Sequence, residues 1–232
     1  MNKLILFFLG SVFALINIHA QTADEIVNKY LAAMGGKEKL ATIKTIYQES
    51  STNIRGVASK NRFWCVNNKA YRWESEINGL KNYSVLRNDS GWFFNPRRGQ
   101  KAAEPMTGEA VRRSQLDLDM QSPLLDYAKK GYTIKYEGKD DAIDGSDTYK
   151  LELKVNDSLS LTYYIDPDSY LIMRMKTKKI VNGKTETSNQ DFSNYLKNAD
   201  GYVFAMQINR TKYSLIKVNP DIDAALFNRS TK

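Results

Sequence analysis

The feature that most constrains this fold is a period of two, because most of the chain alternates apolar and polar residues between short turns. In TYKLELKV, residues 148–155, every second residue from Tyr149 is apolar or aromatic, and the residues between them are charged. Successive side chains of a strand point to opposite faces, so the pattern predicts antiparallel strands that bury one face. Asn67-Asn68 and Asn78-Gly79 favour tight hairpins, because Asn and Gly tolerate a positive φ.

The number of such segments predicts the shape of the sheet. About eleven segments follow one another, and so many strands do not stay flat, so we expect an incomplete β-barrel. The expected fold class is therefore mainly β, with a single curled antiparallel sheet. No internal repeat and no Pro-, Gly- or Ser-rich linker divides the sequence, so residues 21–232 are interpreted as one domain.

Two segments depart from this period and predict helices over the sheet. Thr22 and Glu25 form a capping-box pair, an apolar stripe at helical spacing follows them, and Gly35-Gly36 ends the helix. Residues 105–131, rich in Ala, Gln, Leu, Asp and Met, predict a helical insertion that covers the sheet and that we call the lid. Within it, Ser122-Pro123 is typical of a second helix start. The inner face of the lid is expected to consist of Leu116, Leu118, Met120, Leu124 and Leu125.

Residues 1–20 have the composition of a secretory signal peptide. Lys3 supplies the positive start, the run from Leu4 to Ile16 is mostly apolar, and Ala20 is a small residue suited to cleavage. The apolar run is too short to span a bilayer. We therefore predict an exported, periplasmic protein that is soluble after signal-peptide cleavage.

The chain is poor in the residues that most catalytic and metal sites need. Its one histidine, His19, lies in the predicted signal peptide, and Cys65 is its one cysteine. Zinc, copper, haem and Ser–His–Asp or Cys–His chemistry thus lose their usual ligands or base. We predict no enzyme activity, no catalytic residue, no metal and no cofactor. A hydrolase that acts through two carboxylates stays open, because such a pair needs no histidine.

The positive charge is spread along the chain. The formal net charge is +8, and basic residues alternate with acidic ones along most segments. Nucleic-acid binding favours a basic stripe with interleaved aromatic residues, whereas here only Arg97-Arg98 and Arg112-Arg113 cluster. We therefore expect no nucleic-acid partner, and anionic lipid headgroups would suit this charge better.

Four stretches of the chain resemble the LolA/LolB-type superfamily of outer-membrane lipoprotein-sorting proteins. They are Met34 to Leu40 at the end of the first helix, SPLLDYAKKGYTIKYEGKDDAIDGSDTYKL from Ser122, and YYIDPDSYLIMRMKTKK from Tyr163 with the ending IKVNPDIDAALF. The resemblance implies an incomplete antiparallel barrel with helices over its open concave side. It also implies a role in carrying lipoprotein acyl chains, in holding other hydrophobic ligands, or in envelope sensing. No arginine of the early strands is matched to the family's cavity arginine.

The candidate binding residues are those expected to line an apolar cavity and the inside of the lid. Ligand pockets are mainly apolar and aromatic, and methionine provides an adaptable wall. The residues selected on this basis are Trp73, Trp92, Phe94, Leu118, Leu125, Leu161, Tyr163, Met173 and Met206. Each of them also has a plainer interpretation as ordinary core packing.

The sequence thus leads to one functional hypothesis and one alternative. The first is a monomeric periplasmic carrier or sensor that binds a lipid, an acyl chain or a lipoprotein, with an envelope membrane protein as a further partner. The alternative is a non-catalytic protein-interaction module of the envelope whose cavity is plugged by the helices. An open cavity of some hundreds of Å³ would favour the carrier, and a filled one the module.

Overall fold

A computed structural model describes residues 22–143 and 145–229 of the chain. The predicted signal peptide, residues 1–20, lies outside the described residues. Within the described part, the helices and strands are α1 (Ala23–Ala33), α2 (Lys37–Ala41), β1 (Thr45–Ile54), β2 (Val57–Val66), β3 (Ala70–Ile77), β4 (Leu80–Arg87), β5 (Ser90–Phe94), β6 (Glu104–Pro105), α3 (Gly108–Ser114), β7 (Thr133–Ile143), β8 (Ser146–Asn156), β9 (Leu159–Ile165), β10 (Ile172–Val181), β11 (Lys184–Lys197), β12 (Val203–Ile208) and β13 (Thr211–Val218). Short 3-10 helices cover Pro96–Arg98, Gln115–Leu118 and Ala224–Phe227. None of the described helices is both long and apolar enough to cross a membrane.

The thirteen strands of residues 22–143 and 145–229 belong to one sheet, in the order β6-β5-β4-β3-β2-β1-β13-β12-β11-β10-β9-β8-β7. The first and last strands pair antiparallel in the middle of the sheet, for example Ile46 with Val218. Strands β6 and β7 form its two edges, so the barrel stays open between them. The chain from β6 to β7 must pass from one edge to the other, which is why the lid crosses the concave side. The predicted mainly β fold with a single curled sheet is confirmed.

The strand count differs from the expected number of about eleven, which rested on apolar alternation. Strand β6 has only two residues, too few to show any period. Strand β11 is fourteen residues long, but its sequence KTETSNQDFSNYLK carries almost no apolar residue before Phe192, and most of the strand is exposed. Neither strand shows the period of two, so both depend on the neighbours with which they pair.

The N-terminal helix packs on the inward face of β8, β9 and β10. Its capping box is present, since the Thr22 side chain accepts from the Glu25 amide and the Glu25 carboxylate accepts from the Thr22 amide. The buried residues Ile26, Val27, Tyr30 and Leu31 of α1 join one large core with inward residues of the sheet: Leu151, Leu153, Leu161, Tyr163, Ile165 and Ile172. This part of the concave side is therefore filled.

The second helix predicted inside the lid does not form. Residues 123–131 run through successive turns, and Ser122 and Asp126 have φ of 91° and 50°. A positive φ is incompatible with a right-handed helix, so the chain cannot continue as one there. The turns nevertheless bury Leu124 and Leu125, at 0% and 3% exposure, against α1 and the sheet.

Candidate functional site

Strands β1 to β4 arrange their inward side chains in rows across the sheet, because antiparallel partners lie directly opposite each other. One row, which we call the aromatic row, consists of Gln48, Phe63, Trp73 and Ser84. The next row toward the β1–β2 and β3–β4 hairpins, which we call the polar row, consists of Ser50, Asn61, Ser75 and Asn82. The side chains between the two rows point outward and include Glu49, Arg62 and Glu74. The inward face is thus uncharged along both rows.

The lid is fixed over the opposite end of these strands. Val111 of α3 and Leu118 of the following 3-10 helix pack with Cys65, Tyr71 and Leu86 in a small buried cluster. Burial raises the pKa of the Cys65 thiol to about 12, so this cysteine is an inert core residue rather than a nucleophile.

Two hydrogen bonds tie the lid to the hairpin between β2 and β3. The Met120 amide donates to the Asn67 side-chain oxygen at 2.8 Å, and the Asn68 amide donates to the Leu118 carbonyl at 2.9 Å. The positive φ of Asn68, 56°, is the one that the Asn-Asn turn was expected to need. The hairpin therefore positions the lid as well as joining two strands.

A cavity of about 730 Å³ lies between the lid and these rows, and we call it the β1–β4 cavity. Its apolar lining includes Phe63, Trp73 and Met120, and its floor carries the polar row. The Trp73 side chain is 36% exposed here, although its strand neighbour Tyr71 is buried under the lid. This volume is in the range of small-molecule pockets, which hold about 300–1,000 Å³.

A second cavity, the β9–β10 cavity, lies on the other side of α3 and has a volume of about 710 Å³. Leu161, Met175 and Val181 provide apolar lining, and the basic residues Arg112, Arg113 and Lys179 also line it. Asp117 of the lid lines both this cavity and the β1–β4 cavity. The lid thus stands between two hollows in one concave side.

Asp117 is the carboxylate at this junction. Its side chain is exposed on one side, while protein atoms crowd the other sides, and no ion pair or hydrogen bond joins it to another described residue. Loss of hydration raises the pKa of the Asp117 carboxyl to about 6. Arg113 and Lys179 line a neighbouring hollow with it, but neither is within ion-pair distance. The carboxylate can therefore accept hydrogen bonds from a molecule in either cavity.

Of the residues selected from sequence, Trp73 lines the β1–β4 cavity and Leu161 lines the β9–β10 cavity. Leu118, Leu125 and Tyr163 are buried at 3% each, in the core beneath the lid rather than in the open part of either cavity.

The two selected methionines are half-buried and line neither cavity. Met173 lies at a register shift in β10, between Ile172 and Arg174. Met206 shares the inward face of β12 with Phe204, a core residue, and Ile208, which lines the β1–β4 cavity. Met206 is thus next to the cavity.

The structure places Trp92 and Phe94 on the opposite, outer face of the sheet. Both pack with Tyr83, Val85 and the C-terminal Phe227. Trp92 pairs with Val85 across β5 and β4, and Val85 alternates with the inward Ser84. The parity of strand β4 therefore turns these two aromatic residues away from the cavity. An aromatic residue on a strand does not by itself reveal which face it occupies when both faces are covered.

The polar row and Asp117 were not selected from sequence, because the selection followed apolar residues. A different signal was present. In β1 to β4 the residues of one parity are uncharged, whereas the other parity carries the charges, among them Glu49, Lys60, Arg62, Glu74, Glu76 and Lys81. Charged side chains are rarely left in an enclosed space, so the charge-free parity marks the inward face. Nothing in the sequence marks Asp117.

The sequence matches no protein-family model and no curated protein sequence. Among solved structures, the chain is similar to a LolA superfamily protein from Nitrosomonas europaea, with a TM-score of 0.54 and 14% identity over 90% of this chain and 99% of that one. It is also similar to an outer membrane lipoprotein-sorting protein domain from Vibrio parahaemolyticus, with a TM-score of 0.51 and 12% identity over 88% and 95% of the two chains. The fold is therefore LolA-like, as the sequence resemblance predicted.

Proposed function

We propose that this protein binds a hydrophobic or amphiphilic ligand beneath its lid, as a periplasmic carrier or sensor. The observation that carries the proposal is the β1–β4 cavity, which leaves Phe63, Trp73 and Met120 facing open space. A chain that needed this face only for stability would pack it, as it does between α1 and strands β8 to β10. An open cavity of this size also supports a carrier over an interaction module with a plugged cavity.

The ligand would gain affinity by covering apolar surface. Removing such surface from water contributes about 25 cal/mol per Å², and aromatic side chains such as Trp73 present the largest area. The β9–β10 cavity offers further apolar wall at Leu161 and Met175. A ligand with a long apolar chain could use both cavities if the lid moved, because Asp117 of the lid lines each of them.

Movement of the lid would be coupled to ligand entry. Val111 and Leu118 are buried at 7% and 3%, and lifting the lid would expose them. Exposure of such side chains costs about 1.5–3 kcal/mol each, so an open lid is unfavourable unless a ligand replaces the lost contacts. In contrast, α1 buries four residues in the large core and is expected to stay in place.

The biological setting proposed here rests on the LolA-like fold and on the sequence of residues 1–20. The similar domain from Vibrio parahaemolyticus is described as an outer membrane lipoprotein-sorting protein. By analogy, lipoprotein acyl chains or a lipid would be the ligand, and a monomer would exchange it with an envelope membrane protein. No catalytic role is part of this proposal.

Tryptophan fluorescence offers a direct test, because the chain has three tryptophans and only Trp73 lines the cavity. Trp92 packs on the outer face, and Trp64 lies there against Tyr47, with the ring centroids 5.3 Å apart and the ring planes tilted by 37°. Bromine quenches indole fluorescence only on contact. The probes are 9,10-dibromostearic acid and its glycerol monoester, with the unbrominated parents as controls.

The variant W64F/W92F, which keeps Trp73, should be quenched by at least one brominated probe at a saturating concentration. The matched variant W73F, which keeps Trp64 and Trp92, should show little quenching. If neither probe quenches Trp73, or if W73F is quenched equally, ligand binding in the β1–β4 cavity is refuted.

A further inference from the structure

We propose that the β1–β4 cavity selects an uncharged amphiphile whose polar group carries hydroxyl or amide donors. Its head would lie on the polar row, and its apolar chain would lie along the aromatic row toward the lid. This inference rests on the proposed function and names the ligand class of the same site.

The first support is the polar row itself. Four strands contribute Ser50, Asn61, Ser75 and Asn82 at matching register positions, so the row is continuous across the sheet. Ser75 and Asn61 are only 3% and 9% exposed. Buried polar groups are unfavourable unless they find hydrogen-bond partners, so an apolar row would be the better choice for an empty or purely apolar cavity.

The partners within the row are incomplete. Asn61 donates from Nδ2 to the hydroxyl oxygens of Thr52 and Ser50 at 3.3 and 3.5 Å, which are long hydrogen bonds. The Asn82 side-chain oxygen is buried and has no hydrogen-bond partner among the described residues. Asn82 lines the cavity, so rotation of its amide group would present this unpaired oxygen to a ligand donor.

The second support is the distribution of charge. Arg62 borders the cavity, but its strand parity turns its side chain outward, beside Glu74 and Lys60. Asp117 is thus the charged side chain that reaches the cavity, from the lid side. Its negative charge acts through a cavity whose inward strand face carries no opposite charge, so it disfavours a carboxylate or phosphate head, whereas the hydrogen bonds to an uncharged head come from the polar row.

The orientation of the ligand follows from the position of the two rows. The polar row lies closer to the hairpins, where Leu80 is 48% exposed, whereas the other side of the aromatic row is covered by Leu118 of the lid. A head on the polar row would therefore face the open end of the cavity. The chain would point beneath the lid, toward Met120.

The test compares three amphiphiles with the same fourteen-carbon chain, each below its critical micelle concentration: monomyristoylglycerol, myristate and tetradecyltrimethylammonium. Their dissociation constants are measured by displacement of glycerol mono-dibromostearate from W64F/W92F. Monomyristoylglycerol should bind about 10-fold or more tightly than myristate at pH 7.5, because a hydrogen-bonding site discriminates strongly between ligands that satisfy it and ligands that do not. Tightest binding of the cationic amphiphile would assign selection to Asp117 and overturn the role of the polar row.

A variant isolates the polar row. N82L should weaken monomyristoylglycerol by about 10-fold and leave myristate nearly unchanged, because only the glyceryl ester has hydroxyl groups to pair with this amide. N189L makes the same substitution at an exposed position of β11 and should change neither. Equal affinities for all three amphiphiles, or equal effects of N82L on each of them, would overturn the inference while leaving ligand binding intact. Absence of quenching by every brominated probe would instead refute the proposed function.

Discussion

Replacement of Asp117 by asparagine should stabilise the folded protein at neutral pH, and the gain should disappear as the pH is lowered. The Asp117 carboxyl has a pKa of about 6 in the folded chain, against 3.8 in an unfolded one, and the cause is loss of hydration. A carboxylate that is harder to ionise in the folded state makes folding less favourable at every pH where it is charged. Asparagine keeps the shape and removes that cost.

The magnitude follows from the two pKa values. One pKa unit corresponds to about 1.4 kcal/mol, so the difference between 3.8 and about 6 sets an upper limit of about 3 kcal/mol. Water reaches this side chain, and screening reduces the effect, so we expect a gain of about 1 kcal/mol at pH 7.5. Since the folded pKa is the higher one, wild-type stability relative to D117N recovers as the pH falls from about 6 toward 4.

The assay is urea-induced unfolding followed by circular dichroism at pH 7.5, 6.0 and 4.5. The free energy of unfolding of D117N should exceed that of the wild type most at pH 7.5 and least at pH 4.5. D157N is the matched control, because Asp157 is exposed and pairs with Lys154 at 2.8 Å, which lowers its pKa. This control should give no gain at pH 7.5.

Two results would refute the reasoning about Asp117. One is a D117N protein that is no more stable than the wild type at pH 7.5. The other is a gain of the same size at pH 4.5, which would mean that packing rather than ionisation is responsible. The nearby cations Arg113 and Lys179 favour the ionised form of Asp117. If either of them paired with Asp117 in solution, D117N would be no more stable than the wild type.

Two further predictions concern the fold. Leu124 is 0% exposed between α1 and the sheet, so Leu124→Ala should lower the free energy of unfolding, measured by urea denaturation, by about 2–5 kcal/mol. The control L196A, at a position that is 60% exposed, should change it by less than about 0.5 kcal/mol. Equal effects of the two substitutions would contradict the packing of the lid turns. Gly35→Ala should lower the melting temperature more than G36A, because both have positive φ but only at Gly35 would a Cβ lie 2.7 Å from the Gly201 carbonyl oxygen. A melting temperature of G36A as low as that of G35A would contradict this.

The local structure was largely predictable from sequence, because local chemistry fixes it. The capping box of α1, its end before Gly35 and the Asn68 and Asn78 turns depend on side chains a few residues apart. The alternation in β8 likewise predicted the buried side, where Leu151 and Leu153 are fully buried. The turns of the lid are an exception. Ser122-Pro123 is a favourable sequence for a helix start. However, Ser122 and Asp126 have positive φ, so the chain turns there instead, with Leu124 packed against α1.

The candidate site was predictable in part, for a related reason. Trp73 was identified because it is aromatic and lies on a strand, yet Trp92 and Phe94 satisfy the same criterion and pack on the outer face against Phe227. Strand register sets their outer position, and their burial there depends on the C-terminal segment, which returns to cover that face from more than one hundred residues away. Periodicity shows that a strand has two faces, and it does not show what covers each one.

The sequence by itself determined most of the strands, their turns and the charge-free parity of β1 to β4, since each of these is set by residues that are neighbours along the chain or across a hairpin. Only the tertiary structure decided which face is concave, how much of it α1 fills, and that Asp117 comes to lie between two cavities. The pairing of β1 with β13 and the crossing of the lid from one sheet edge to the other join residues distant in sequence. The β1–β4 cavity exists because these long-range contacts surround it, so no local sequence pattern predicts it.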